Sequence, residues 1–347
     1  MCIRDRIHTV GAGGGSIGWI DPGGSLRVGP KSAGAEPGPA CYGRGGTEAT
    51  VTDANVLLGR IAPRAALGGR LTLDPAPAAA ALRSLGEPIG MTDTQAALGL
   101  VRVVEEVMAG AIRSVSIEQG TDPRDAWLVA FGGAGGLHAT ALARSLDMAG
   151  VIVPPHGGVF SAAGLLMSPP RVDLARSVHL REGHHLDGVI DRIGLEATNR
   201  LPSGDLETLA DVRYHGQSHE VTVPYAVGDG WNTLSGRFHR MHRERNGFSR
   251  PDDPIEVVTI RATVTGSPAI EAQTVFRWQS EGEARVGART AITGGGPVEA
   301  TVWNRPGLEA GTEIAGPAVI EEREATTWIG QGERAFVSAT GALEVTW

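Results

Sequence analysis

Apolar residues recur at helical spacing across Leu98, Val101, Val104, Val107, Met108, Ala111, Ile112 and Val115, the pattern of one buried helix face. Thr92 stands ahead of this run as a candidate N-cap, and Gln95 three residues on completes a capping box. Gly120 supplies a stop signal. A long helix is therefore predicted from 92 onward. The apolar run AWLVAF at 126–131 predicts a short buried strand. GGAGG follows, then the helical pattern LHATALARSL. VIVP predicts a second strand, and PHGG leads into a small-residue helix near 159–167. Helix, strand, Gly-Gly turn, helix, strand is an α/β order. The right-handed crossover rule makes 151–153 parallel to 127–131.

Residues 7–60 show little periodicity and much turn chemistry: GGGS, DPGGS and GPKSAGAEPGPACYGRGG. A long irregular stretch with embedded apolar residues reads as functional. Beyond 170 the character changes. LETLADVRYHGQSHEVTVPY predicts two strands around a polar turn, WNTLSGRFHRMHRERNGF a charged amphipathic helix, and IEVVTIRATVTG a strand. From about 271 onward short alternating segments with frequent Gly and Pro predict β structure. The expected division is 7–172, an α/β domain, and 173–347, a C-terminal α+β, β-rich domain.

Composition narrows the function classes. Apolar residues make up 41% and charged residues 20% of the 347, the balance of a globular chain. The 50 glycines follow no period, which excludes collagen. A net charge of −8 without a basic block gives nucleic acid no electrostatic footprint. No apolar run approaches a membrane span. The two cysteines make no disulfide framework and fit a reducing, cytoplasmic setting. MCIRDRIHTV lacks the apolar segment of a signal peptide. Only Ile7–Val10 precedes the first glycine run, so a chain truncated at its N-terminus is expected.

Two glycine clusters carry the candidate chemistry: HTVGAGGGSIGWID at 8–21 and FGGAGGLHA at 131–139. The second, between a strand and a helix, turns backbone N–H groups and the positive helix end toward a ligand. It lacks the lysine of a Walker A loop and the spacing of GxGxxG, and taken alone it reads more simply as a tight strand-to-helix packing turn. His8 and His138 each abut a cluster. Asp53 in TVTDAN is open to two readings, a cation ligand or a helix cap. Cys41, among Gly and Pro with no assignable base, reads as a packed thiol.

Taken together, IHTVGAGGGSI, VGPKSAGAEPGPACYGRGGTEATVTDANVLLGRI, AFGGAGGLHA, VPPHGGVFSAAGLL, DVRYHGQSHEVTVP and GPAVIEEREATTWI resemble the hydantoinase A/5-oxoprolinase family, which includes acetone and acetophenone carboxylase subunits. The resemblance runs from about residue 7 to the end. It implies part of an actin-like (sugar kinase/Hsp70) ATPase fold with a mostly β C-terminal domain. It also implies ATP with Mg²⁺, a cyclic amide substrate and a hydantoinase B-type partner. It carries over Gly132, Gly133, Ala134 and Gly135 as nucleotide contacts. Gly13, Gly14 and Gly15 face the same cleft, with His8, His138 and Asp53 as candidate catalytic residues beside it. Gly136 stands where the family commonly has proline. The family's N-terminal Gly-Gly-Thr phosphate loops have no counterpart here, so the chain alone is expected to be inactive. A ketone carboxylase subunit and a non-catalytic partner-docking fragment are the competing expectations.

Overall fold

The structure, a computed structural model, describes residues 7–63, 66–67 and 71–347. In chain order it opens with a hairpin of β1 (Ser16–Ile20) and β2 (Leu26–Ser32). Three helices follow: α1 (Val51–Leu57), α2 (Pro75–Gly86) and α3 (Asp93–Val115). Each starts where local chemistry dictates. Thr50 and Asp53 form a capping box on α1, Asp74 caps α2 with Pro75 in its first turn, and Thr92 and Gln95 form the predicted box on α3. The apolar face of α3 buries Leu100, Val101 and Val104 against Leu82 of α2 and Val51, Ala54 and Leu58 in and just after α1.

Next come β3 (Trp127–Val129), α4 (Gly135–Ser145), β4 (Gly150–Val153) and α5 (Phe160–Met167). β3 and β4 are parallel, with Leu128 opposite Val151, as the crossover rule requires. β3 is not a buried strand. It lies at the edge of its sheet, and Trp127, Val129 and Phe131 are 39%, 48% and 48% exposed. An apolar run reports affinity for a sheet, and a central or an edge position satisfies it equally well.

The chain then builds a separate compact unit over residues 164–272. Its strands are β5 (Arg171–Arg181), β6 (Asp205–Tyr214), β7 (Val221–Pro224) and β8 (Ile255–Thr265). They form an antiparallel sheet in the order β5-β8-β6-β7. Helices α6 (Leu186–Arg200) and α7 (Gly230–Asn246) bury Ile190, Ile193, Leu234 and Phe238 in a core shared with Tyr214 and Tyr225.

Residues 273–347 return to the first unit. They supply β9 (Arg285–Thr293), β10 (Gly296–Asn304), β11 (Glu313–Ala315), β12 (Ala318–Glu321), β13 (Thr326–Ile329), β14 (Arg334–Val337) and β15 (Leu343–Thr346). One sheet runs β9-β10-β12-β13 and the other β11-β14-β15-β4-β3. β15 pairs antiparallel with β4, Val345 opposite Val151. By packing, residues 164–272 form one compact unit and 273–347 join the other. The β character of the tail was legible; its pairing with β4 is a long-range choice that alternation along a strand does not encode. Among the described residues no helix is long and apolar enough to cross a membrane.

Candidate functional site

The Gly-Gly turn after β3 is shaped by its backbone. Gly132 takes φ +88° and donates its amide to the Gly157 carbonyl at 2.8 Å, a conformation that favours glycine. Gly133 is held by the hairpin turn between β12 and β13. Its carbonyl accepts from Thr326 N at 3.3 Å, and a Cβ here would stand 3.0 Å from the Glu324 carbonyl oxygen. α4 then begins at Gly135 with Ala134 as N-cap and no side-chain cap. On the other side, Thr52 at the start of α1 donates both its amide and its hydroxyl to the Gly14 carbonyl, at 2.8 and 2.9 Å. α1 thereby anchors the first glycine run.

The two glycine clusters line one cavity of about 410 Å³, together with Thr52 and the 322–326 turn. Among the described residues, the amide N–H groups of Gly14, Gly15, Gly133 and Ala134 find no acceptor in the protein. Gly14, Gly15 and Ala134 are half-buried, where amides are ordinarily paired, and Gly133 is exposed; all four donors are free to bond something in the cavity. Gly13, Gly132 and Gly135 are sequence neighbours of these residues but do not themselves line the cavity. For Gly13 and Gly135 no local strain is evident. Neither has a positive φ, a Cβ on Gly13 would meet nothing, and one on Gly135 only an ordinary contact at 3.7 Å. Neither strain nor packing accounts for glycine at those two positions.

The third wall is acidic. Glu322 and Glu324 line the cavity with Arg323 between them. The Glu322 side chain is mostly buried, its Oε1 3.7 Å from Nε of the fully buried Arg305. Burial pushes the Glu322 carboxyl up, and the charges of Arg305 and His156 and the Gly157 amide offset part of that. Arg305 donates through Nη2 to the carbonyls of Val153 and Gly341, at 3.1 and 2.6 Å. Its Nε and Nη1 have no hydrogen-bond partner among the described residues.

The candidate catalytic residues do not converge here. His8 is exposed and does not line the cavity. His138 is 2% exposed and turns Nδ1 toward Glu105 Oε1 of α3 at 3.0 Å; its helix neighbour Leu137 faces the cavity instead. Asp53 is fully buried. It accepts from the amides of Ala40, Cys41 and Thr50 and from the Thr50 hydroxyl, at 3.2, 2.7, 2.9 and 2.7 Å. Those bonds occupy both oxygens, so the helix cap is the reading the structure supports. No cluster of three metal-ligating side chains occurs among the described residues. Sequence reasoning passed over Thr52, Glu322 and Glu324. The only signal for the glutamates was GPAVIEEREATTWI, and nothing in it says which face the turn presents.

The cavity and the sheets around it define an α/β protein of the hydantoinase/actin-like fold. The chain belongs to the hydantoinase/oxoprolinase family: the family's model matches residues 5–173 and the model of its C-terminal domain residues 205–344. It is 33% identical to the caprolactamase subunit alpha of Pseudomonas jessenii, over 98% of this chain and 52% of that one. The crystal structure of the ATP-dependent caprolactamase from that organism superposes with a TM-score of 0.70 over 98% of this chain and 52% of that chain, at 32% identity. An uncharacterized protein of Methanocaldococcus jannaschii is 39% identical over 98% of this chain and 50% of its own length. Nucleotide-free acetone carboxylase shares the fold at a TM-score of 0.84, 20% identity, over 96% of this chain and 52% of that chain. The chain spans about half the length of these relatives.

Proposed function

We propose that this chain supplies one wall of the ATP site in an ATP-dependent cyclic amidohydrolase of the hydantoinase/oxoprolinase type. The observation that carries the reading is the set of acceptor-free amides on Gly14, Gly15, Gly133 and Ala134 around one cavity. Backbone N–H groups from a loop and a helix start are the donors that phosphate oxygens take in a protein without a local lysine. The residues present fit the nucleotide in that the donors lining the cavity are unpaired.

When bound, ATP with Mg²⁺ would supply the phosphoryl group that turns a stable amide oxygen into a leaving group before water opens the ring. This chain's own part is positioning. Thr52 fixes the Gly14–Gly15 segment, and α4 aims its uncapped end into the cavity. The hairpin turn at 322–326 closes the third side. We assign the ring-opening residues to a B-type partner subunit or to the rest of the protein; His8, His138 and Asp53 do not line this cavity. The likeness to a caprolactamase subunit supports a cyclic amide as substrate.

Isothermal titration of this chain with ATP and Mg²⁺ tests the reading. Saturable binding is expected. A folded chain that binds neither ATP nor ADP at millimolar concentration overturns it. Caprolactam, 5-oxoproline and hydantoin, offered to the whole protein with its B-type subunit, test the substrate class. Turnover of a ketone with bicarbonate and of no cyclic amide would move the assignment to a carboxylase.

A further inference from the structure

We infer that the second unit carries a binding site for a small uncharged amide, built on His242 of α7 and Gln217 of the turn between β6 and β7. The site shares no lining residue with the nucleotide cavity and stands whether or not a nucleotide binds there.

The YHGQSHEV motif, which the nucleotide cavity leaves unused, and the C-terminal end of α7 together line a cavity of about 670 Å³. His242, on that end of α7, is 4% exposed. The rings of Tyr214, Phe238 and Phe248 hold it, with centroids 5.0, 5.5 and 5.0 Å away. Its Nδ1 lies 2.8 Å from the Phe248 carbonyl oxygen, which only accepts, so Nδ1 carries the proton. In the neutral ring Nε2 is then a bare lone pair. It has no partner among the described residues, yet it is not one of their sealed unpartnered atoms, so it opens to the cavity that the ring lines. Buried acceptors are ordinarily paired; this one is held in a fixed direction and left free.

The rest of the lining selects the ligand. The formal charges of Arg245 and Glu220 cancel, and the other ionisable side chains are the imidazoles of His219 and His242. A cation or an anion therefore meets a like charge as well as an opposite one. Gln217 is half-buried, and its carboxamide, like that of Asn246, has no partner among the described residues. Its backbone is fixed, since the Gln217 amide donates to the carbonyl of the buried Tyr214 at 3.0 Å. Phe248 and Val221 add apolar surface. What satisfies the His242 lone pair is an N–H, what satisfies a carboxamide NH₂ is a carbonyl oxygen, and what covers the apolar surface is a run of methylenes. An amide supplies all three without a charge. This is the chemistry of the cyclic amides proposed above as substrate, reached from a different set of groups.

NMR titration of the isotope-labelled chain compares caprolactam with N-methylcaprolactam, which lacks the N–H, and with ε-aminocaproate, the charged ring-opened form. Caprolactam should saturate and shift the signals of His242 Nε2 and the Gln217 carboxamide. The other two should bind about tenfold more weakly, the loss expected for one hydrogen bond to a buried group. His242→Phe keeps a ring among Tyr214, Phe238 and Phe248 and removes the lone pair, so it should bring caprolactam down to the level of N-methylcaprolactam. Gln217→Leu, on the turn, keeps the test alive if that variant does not fold; it should weaken both lactams about tenfold, since both keep the carbonyl. Equal affinity for the two lactams, or no shift at His242 and Gln217 with saturating caprolactam, overturns the site. ATP binding by the same sample is a separate readout: a chain that binds ATP and no amide loses this site and keeps the nucleotide reading, and one that binds caprolactam and no nucleotide does the reverse.

Discussion

The carboxylate of Asp53 accepts a 2.7 Å hydrogen bond from the amide of Cys41. This joins the first turn of α1 to the short helical turn at Ala40–Tyr42, with both residues fully buried. The contact turns a candidate catalytic acid into a structural pin. Asp53→Ala should cost about 3 kcal/mol, because it strands the amides of Ala40, Cys41 and Thr50 away from water. Urea denaturation of the two proteins measures it. Asp53→Asn should cost less and leave ATP affinity unchanged. An Asn variant of full stability that had lost nucleotide binding would restore a functional role to this carboxylate.

The same contact governs Cys41. Burial pushes its thiol well above the ordinary cysteine range, and the Asp53 charge adds to the effect. Iodoacetamide at neutral pH should leave the Cys41 peptide unmodified in the native protein and label it fully in denaturant. Mass-spectrometric mapping of that peptide decides the matter. Rapid native labelling would mean that the segment opens locally.

Glycines without a structural reason separate ligand effects from folding effects. Gly13→Ala and Gly135→Ala should leave thermal stability unchanged or raise it by about 0.5–1 kcal/mol, since a Cβ meets no close neighbour. Each should weaken ATP binding about tenfold if the backbone there approaches the nucleotide. Gly133→Val is a poorer probe, because its side chain meets the Glu324 carbonyl oxygen at 3.0 Å and disturbs the hairpin. Alanine at 13 and 135 with undiminished affinity would show that the backbone at these two positions does not approach the nucleotide.

His138 is expected to act on stability. It packs at 2% exposure with Nδ1 on Glu105, and His138→Ala should cost about 2 kcal/mol by removing that partner. ATP affinity should stay within about twofold, a change of a few tenths of a kcal/mol. Loss of binding in a variant of normal stability would contradict a packing role.

Acid sensitivity of the second unit should centre on Glu256. Burial raises its carboxyl, but hydrogen bonds from Arg213 at 2.9 Å and His215 at 3.2 Å outweigh that and hold it below the ordinary range. A carboxyl lowered on folding adds stability that is fully present above its unfolded pKa and fades as pH falls through the folded one. Glu256→Gln should therefore lower stability by about 2 kcal/mol at pH 7 and flatten the decline below about pH 4.5. Denaturation curves across pH 3–7 for both proteins check this. Parallel pH profiles would remove Glu256 from the account.

Much of this protein was determined by its sequence alone, wherever the cause is local. The capping box of Thr92 and Gln95, the amphipathic face of α3 and the strand–Gly-Gly–helix–strand order at 126–153 depend on neighbours within a few turns. The sequence also marked both glycine clusters. Tertiary structure decided the rest, because it depends on which distant segments meet. It brought Gly14 and Gly133 to one cavity and turned His138 toward Glu105. It also spent the Asp53 carboxylate on the amides of Ala40, Cys41 and Thr50. Glu322 shows the division most plainly. As a residue in a polar turn it is indistinguishable from Glu324 or Arg323. Only the return of β12 and β13 beside the Gly-Gly loop brings its turn to the cavity and its carboxylate within 3.7 Å of Arg305. Long-range strand pairing sets that position, and periodicity within a strand carries no record of its partner.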